Sequence, residues 1–498
     1  MGNEIYNSSN WGTGVCDNTI DWGVVYKDDA GCTPSFTNTK SLNFDGVDDY
    51  TKAGITLDSY NNAVIRTFSF WVKINTLNTY TPFFSGLGAT GALFRYSNMC
   101  GVVNGKIRWQ MEEGFASSGG VYIETEAVDG SGSAPNVADG NWHHVVVYNA
   151  VDSTANKANV VNCKVYLDGS ELTNNIENTG TQAVRGFPKG FLCLGTGYPT
   201  SYLEGNIDEF AYWDNHELSS SDVTTIYNGG SPTDLSLFDT PPTSWYRMGD
   251  SSTYQQPQIL MPENTNKDKV SNYSLNFDGV NDSIDFTDIN YSATTGWSLS
   301  FWFNANTLTQ AGLVGKYDTN ARGVYYRTAD STLTWYDGSN KIFAFPSFSV
   351  DTWYHVLFTN DSSDLRCYVN GVESTTGALT SAIDSYFNTI GSFRGWGGIG
   401  AFNGNIDEVA TFDSVISVSD VWDGSGQPKA ISGATAHWKL GEQATFSTNW
   451  TVPDQVGSND GTSANMTIED REGNAPNSDK NALSYNMVEA DIETDVPT

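Results

Sequence analysis

Positive charge is what this chain most lacks. Lysine and arginine together number 25 against 58 aspartates and glutamates, a formal net charge of −33 over 498 residues. A surface this acidic repels phosphate backbones, which argues against nucleic acid as a partner. It is compatible with cation binding, with a saline medium, or simply with solubility. Histidine is scarce, at 5, and no pair has metal-ligand spacing. The six cysteines, Cys16, Cys32, Cys100, Cys163, Cys193 and Cys367, include no Cys-x-x-Cys pair. Cys16 and Cys32 could close a small loop, and Cys163 and Cys193 fall in two expected strands that have no equivalent pair later on. Buried free thiols are therefore expected rather than a disulfide framework. No apolar run approaches membrane-spanning length, so no membrane insertion is expected. The opening Met1-Gly-Asn-Glu-Ile-Tyr-Asn7 has neither a basic nor an apolar signal region, so no export signal is expected. Tyr6 stands where a myristoylation motif needs Ser or Thr. Long amphipathic helical periods are also nearly absent.

Other residues are plentiful. Aromatics make up 13% and glycines number 49, while charged residues are held to 17%. Aromatic and β-branched side chains fill pleated faces and glycine supplies turns, so the composition predicts an all-β protein. One phrase is said twice. Ser41-Leu-Asn-Phe-Asp-Gly-Val-Asp-Asp-Tyr50 returns as Ser274-Leu-Asn-Phe-Asp-Gly-Val-Asn-Asp-Ser283, with seven consecutive residues identical.

Further phrases follow each copy in the same order. Thr67 to Asn75 alternates as a strand, with Phe68, Phe70 and Val72 on one face, and Ser298 to Phe303 matches it. Trp142-His-His-Val145 matches Trp353-Tyr-His-Val356, and Tyr166-Leu-Asp-Gly169 matches Tyr368-Val-Asn-Gly371. Leu192 to Gly195 matches Asn388 to Gly391. Gly205-Asn-Ile-Asp-Glu209 matches Gly404-Asn-Ile-Asp-Glu408. Strands are also expected at Ala92 to Tyr96 and Lys106 to Gln110. Ser219 to Gly229 reads as a short helix with a serine cap and a glycine stop. A smaller echo links Ser244-Trp-Tyr-Arg-Met-Gly-Asp250 to Ala436-His-Trp-Lys-Leu-Gly-Glu442. The expected layout is an irregular arm over 1–37, modules over 38–250 and 251–425, and a C-terminal segment and tail over 426–498. That tail is acidic and expected to order only by docking onto something else.

The order of these phrases resembles the LamG-like group of the concanavalin A-like lectin/glucanase superfamily, over about 38–230 and 270–425. The resemblance implies two tandem antiparallel jelly-roll β-sandwiches. It also implies glycan or protein binding, with structural calcium in some members. In that superfamily the first and last strands run close together. On that basis Asp45, Asp49 and Asp208 in the first copy, and Asp278, Asp282 and Asp407 in the second, are candidate calcium ligands. The alternative is that Asp-Gly pairs simply make turns and that the closing-strand aspartate accepts backbone hydrogen bonds. Trp109, Tyr198, Trp335, Tyr336 and Trp396, read as lying at strand ends or in loops, are candidate platforms for sugar rings. His144 and His355 occupy matching positions and read as core residues. Glu489-Ala-Asp-Ile-Glu493 looks like a glycosidase motif, but it follows both modules, where no cleft can surround it. No catalytic residue is assigned. The functional expectation is a non-enzymatic protein on the surface of a virus particle. It would be a phage fibre, decoration or receptor-binding component, meeting other virion proteins, further copies of itself, or a cell-surface glycan. A bacterial adhesin and a polysaccharide hydrolase are the alternatives. The long loops of the first copy, such as Ala116 to Pro135, are where binding is first sought.

Overall fold

Side-chain alternation sets the layers. Phe68, Phe70 and Val72 of Arg66–Ile74 are fully buried on one side, as are Leu299, Phe301 and Phe303 of Trp297–Ala305. The computed structural model describes residues 36–56, 65–88, 99–111, 121–149, 151–152, 157–158, 163–176, 190–197, 201–264, 269–316, 322–392, 399–477 and 481–498. Within them the chain forms two jelly-roll sandwiches, each of two antiparallel sheets around its own core. In the first sandwich the central strands of one sheet run Trp142–Asn149, Arg66–Ile74, Glu204–Asp214 and Ser41–Asp45. The facing sheet includes Lys106–Met111, Met99–Val103, Tyr80–Gly88, Gly190–Leu194 and Tyr50–Thr56 in that order. The second sandwich repeats both, with Trp353–Asn360, Trp297–Ala305, Asn403–Phe412 and Ser274–Asp278 opposite Thr332–Tyr336, Arg322–Arg327, Ala311–Lys316, Ser385–Ile390 and Ser283–Tyr291. The strand expected at Ala92 to Tyr96 lies outside the described residues.

The repeated phrases depend on one another. Gly391 adopts φ +85°, and a Cβ there would lie 2.2 Å from Phe277 Cδ1. Gly195, at φ +76°, meets Phe44 Cδ1 at 2.3 Å in the same way. The glycine of one phrase is thus the seat for the phenylalanine of another.

The outer face of the central sheet is covered as well. Helix Ser220–Tyr227 starts where Ser219 Oγ accepts from the Asp222 amide at 3.2 Å and Asp222 accepts from the Ser219 amide at 2.8 Å. It ends on Asn228 in the left-handed region, one residue before the expected glycine. Its Val223 and Ile226 pack with Val146, Tyr166 and Trp213. Cys100, Cys193 and Cys367 are buried free thiols and Cys163 is buried as well, while Cys16 and Cys32 lie outside the described residues. Among the described residues no helix is long and apolar enough to cross a membrane.

The C-terminal segment changes the picture of a plain tandem. The second sandwich completes itself in continuous sequence, with Thr445–Phe446, Trp450–Val452 and Gly461–Ala464 added beside Ser283–Tyr291, and Arg471–Glu472 beside Ser274–Asp278. The first sandwich uses the same pieces, but its chain is interrupted. Thr253–Gln255 and Gln258–Met261 form the matching hairpin, and the chain then builds the entire second sandwich. Only afterwards does it return, as Ala482–Tyr485 between Tyr50–Thr56 and Gln258–Met261 and as Ile492–Glu493 beside Ser41–Asp45. The second sandwich is an insertion between two strands of the first. The acidic tail, expected to order only by docking onto something else, supplies strands to the first sandwich of its own chain. Leu260, Tyr273, Leu483 and Tyr485 form a small apolar cluster where the two sandwiches meet.

Candidate functional site

The opening turns are built by their own acids. Asp45 Oδ1 accepts from the Val47 amide at 2.7 Å, and Asp49 Oδ2 accepts from the Asp45 amide at 2.9 Å. Asp278 and Asp282 make the same bonds at the same distances. Asp49 and Asp282 are each 2% exposed, and burial pushes their carboxyls up from the ordinary 3.8 to about 7. Register separates these turns from the closing-strand acids. Asp45 pairs with Glu204 and Asp278 with Asn403, so Asp208 and Asp407 lie four residues further along. At about 3.3 Å per residue that is roughly 13 Å. The expected joint calcium sites, Asp45 and Asp49 with Asp208 and Asp278 and Asp282 with Asp407, are therefore not assembled. Neighbouring strands are adjacent sideways, but the two sets of acids stand at opposite ends of the pairing.

The closing-strand acids gather other partners. In the first sandwich Asp208 is fully buried and accepts from Asn38 Nδ2 at 2.7 Å and from the Glu209 amide at 2.8 Å. Glu209 Oε2 accepts from Trp245 Nε1 at 2.6 Å, and its Oε1 from Arg247 Nε at 3.0 Å. Arg247 Nη2 also lies 3.3 Å from Asp250 Oδ2. Burial raises Glu209 to about 7 even so, with Arg247 pulling the other way. In the second sandwich Asp407, Glu408 and Glu442 present carboxylate oxygens within 4.8 Å of one another. Asp407 is fully buried and its carboxyl is raised well above the ordinary range, by burial first and then by Glu442 and Glu408. Glu408 Oε2 lies 2.5 Å from His437 Nε2. Glu442 Oε1 accepts from the amides of Asn272 and Tyr273 at 2.6 and 3.2 Å. Glu209, Glu408, Asp250 and Glu442 were not among the sequence candidates. The Glu of each Ile-Asp-Glu phrase and the last acid of each Ser244 or Ala436 echo carried the signal.

The aromatic candidates divide. Trp109 and Trp335 are fully buried, which corrects their reading as sugar platforms. They sit within strands with their rings turned inward, Trp109 against Phe68 and Phe84 and Trp335 4.6 Å from Trp297. Tyr336 is 6% exposed, packed with Tyr325 and Ile399, and offers no open ring face. Tyr198 and Trp396 lie outside the described residues. A different ring faces outward. Tyr386, half-buried on Ser385–Ile390, has Arg322 Cζ 4.8 Å and Lys316 Nζ 5.6 Å from its centroid. Asp288 links the patch, accepting from Lys316 Nζ at 2.6 Å and from Asn388 Nδ2 at 2.9 Å.

The histidines are core residues, as read. His144 Nε2 lies 2.8 Å from Ser69 Oγ and His355 Nε2 2.9 Å from Ser300 Oγ, with burial pushing both down to about 3. The glycosidase-like acids hold the tail. Asp491 accepts from the Val488 amide at 2.7 Å, and Glu493 accepts from Asn206 Nδ2 at 2.9 Å.

Doubled sandwiches with these closures define a lectin-like binding scaffold. The chain belongs to the concanavalin A-like lectin/glucanases superfamily (Laminin_G_3), whose description matches residues 45–224 and 278–422. Similar solved structures include mouse laminin alpha1 domains LG4-5, at 10% identity over 81% of this chain and 94% of that one, TM-score 0.26. A putative carbohydrate binding protein from Bacteroides ovatus matches at 12% identity over 81% and 91%, TM-score 0.33. The pentraxin of Limulus polyphemus matches at 15% identity over 38% and 82%, TM-score 0.28. No curated protein matches the chain.

Proposed function

We propose that the protein is a non-enzymatic, glycan-binding component of a virus-particle surface, and that the outward Tyr386 face of its second sandwich is a sugar-binding site. The observation that carries the binding site is the clustering of Tyr386, Arg322, Lys316, Asp288 and Asn388 on one sheet face. An aromatic body beside fixed donors and acceptors suits a sugar, which offers C–H faces and hydroxyls together. The first copy has Gly190 and Leu192 where the second has Tyr386 and Asn388, so the site belongs to one module. The glycosidase-like acids are tied into tail contacts, which supports binding without turnover.

Replacing Tyr386 by Ala is expected to weaken binding to a glycan-array hit about tenfold, or about 1.4 kcal/mol, without moving the melting temperature. Unchanged affinity in Tyr386→Ala, with loss on deleting 112–120, would move the site to the first module's long loops. For the setting, the protein is expected in purified particles by mass spectrometry. Its absence there and presence on uninfected cells would favour the adhesin.

A further inference from the structure

We propose that the second sandwich binds a hard divalent cation, calcium by its donor set, among Asp407, Glu408 and Glu442, where the first sandwich uses Arg247. The geometry suits one ion. Two ligands on a calcium at about 2.4 Å stand no more than about 4.8 Å apart, and the three carboxylates meet that limit. Open valences point the same way. Glu408 is 2% exposed and its Oε1 is buried without a hydrogen-bond partner, as is Oε2 of Glu442. A buried carboxylate oxygen left without a partner is costly, and a cation would satisfy both. Ser271 Oγ has a single proton yet lies 2.7 Å from Asp407 Oδ2 and 2.8 Å from Glu442 Oε1.

The internal comparison is independent of these contacts. Asp208, Glu209 and Asp250 occupy the matching places in the first sandwich, and there Arg247 bridges Glu209 and Asp250. In the second, Lys439 stands at the Arg247 position, and Glu408 pairs with His437 instead. The opening-turn group Asp45, Asp48 and Asp49 also falls within the distance limit. Its Asp45 and Asp49 oxygens accept the turn's own amides, so it is the weaker candidate.

The test is calcium chloride titrated into EDTA-stripped full-length protein, followed by calorimetry and thermal unfolding. One site per chain is expected, with the melting temperature raised by bound calcium. Glu442→Gln and Glu408→Gln are expected to weaken binding at least tenfold, whereas Asp48→Asn and Asp250→Asn leave it intact. Lys439→Arg, which restores the first sandwich's arrangement, is expected to fold and to lose the calcium response. The proposal is overturned if stripped wild-type protein shows neither heat nor stabilisation, which would mean that the trio shares protons instead. Binding kept in Glu442→Gln but lost in Asp48→Asn would also overturn it, placing the ion on the opening turn. None of these readouts involves glycan binding, so failure here leaves the Tyr386 site standing.

Discussion

A chain ended at Ala475 is expected to lose the first sandwich and keep the second. The deletion removes Ala482–Tyr485, which fills the gap between Tyr50–Thr56 and Gln258–Met261. It also removes Ile492–Glu493 from the edge beside Ser41–Asp45. Ala482, Leu483, Tyr485 and Met487 are at most 1% exposed. Burial of the three large ones contributes about 1.5–3 kcal/mol each. Asp495 adds anchors, accepting from Lys73 Nζ at 2.5 Å and from Trp142 Nε1 at 3.0 Å. The loss is comparable to a whole domain's margin of about 5–15 kcal/mol. The second sandwich is closed before Ala475 and loses the junction contacts of Leu483 and Tyr485 and the bond that Asn481 Nδ2 donates to the Asn272 carbonyl at 2.8 Å. Hydrogen exchange read by mass spectrometry should show lost protection over 41–56 and 66–74 and retained protection over 297–305. A peptide of residues 481–498 added in trans should restore it. Equal protection in both sandwiches after truncation would show that the returning strands are ornamental.

Those strands also mark the limit of what the sequence makes legible. Phe68, Phe70 and Val72, the Asp-Gly turns and the helix at Ser219 are local patterns of period and turn chemistry, and each was readable by itself. The return of Leu483 to Lys52 joins residues more than four hundred positions apart, and no local period encodes such a pairing. One signal was available. Ser463-Ala-Asn-Met466 recurs as Ser484-Tyr-Asn-Met487, and the two serines do the same work, accepting from the Trp450 and Ile259 amides at 2.8 and 2.7 Å. The candidate site was half legible. The Ile-Asp-Glu phrase named Asp208 and Asp407, but their true neighbours, Asp250 and Glu442, come from the later echo, and only strand pairing brings them together. Trp109 and Trp335 resemble sugar platforms by aromatic identity alone, and alternation places them in the core. Ile107 and Leu333, two residues before them, already mark the inward face.

Acid is expected to stabilise this protein, and the opening turns supply much of the effect. Asp49 and Asp282 hold folded-state values of about 7, raised from the ordinary 3.8 by burial and by neighbouring carboxylates. Asp470 is raised to about 6 for the same first cause. For a raised carboxyl the fold retains a proton that the unfolded chain has released. The contribution is therefore fully present below pH 3.8, shrinks through the interval, and is lost as pH rises past 7. Between pH 5 and pH 8 two such shifts amount in full to about 5 kcal/mol, and solvent screening at these turns reduces the expected change to about 2–4 kcal/mol, in favour of pH 5. The overall charge of −33 adds repulsion of the same sign, so the parent's slope alone does not isolate the turns. The double variant Asp49→Asn with Asp282→Asn does. Each amide keeps an oxygen for the Asp45 or Asp278 N–H but carries no charge to bury. It should exceed the parent at pH 8 by that same amount and show a flatter profile. Urea midpoints at pH 5, 6.5 and 8 measure both, with calcium held saturating so that the Asp407 trio stays constant. A double variant with the parent's slope would show that these turns carry their charge at no cost. The acids that open each module would then be ordinary surface carboxylates, despite their burial.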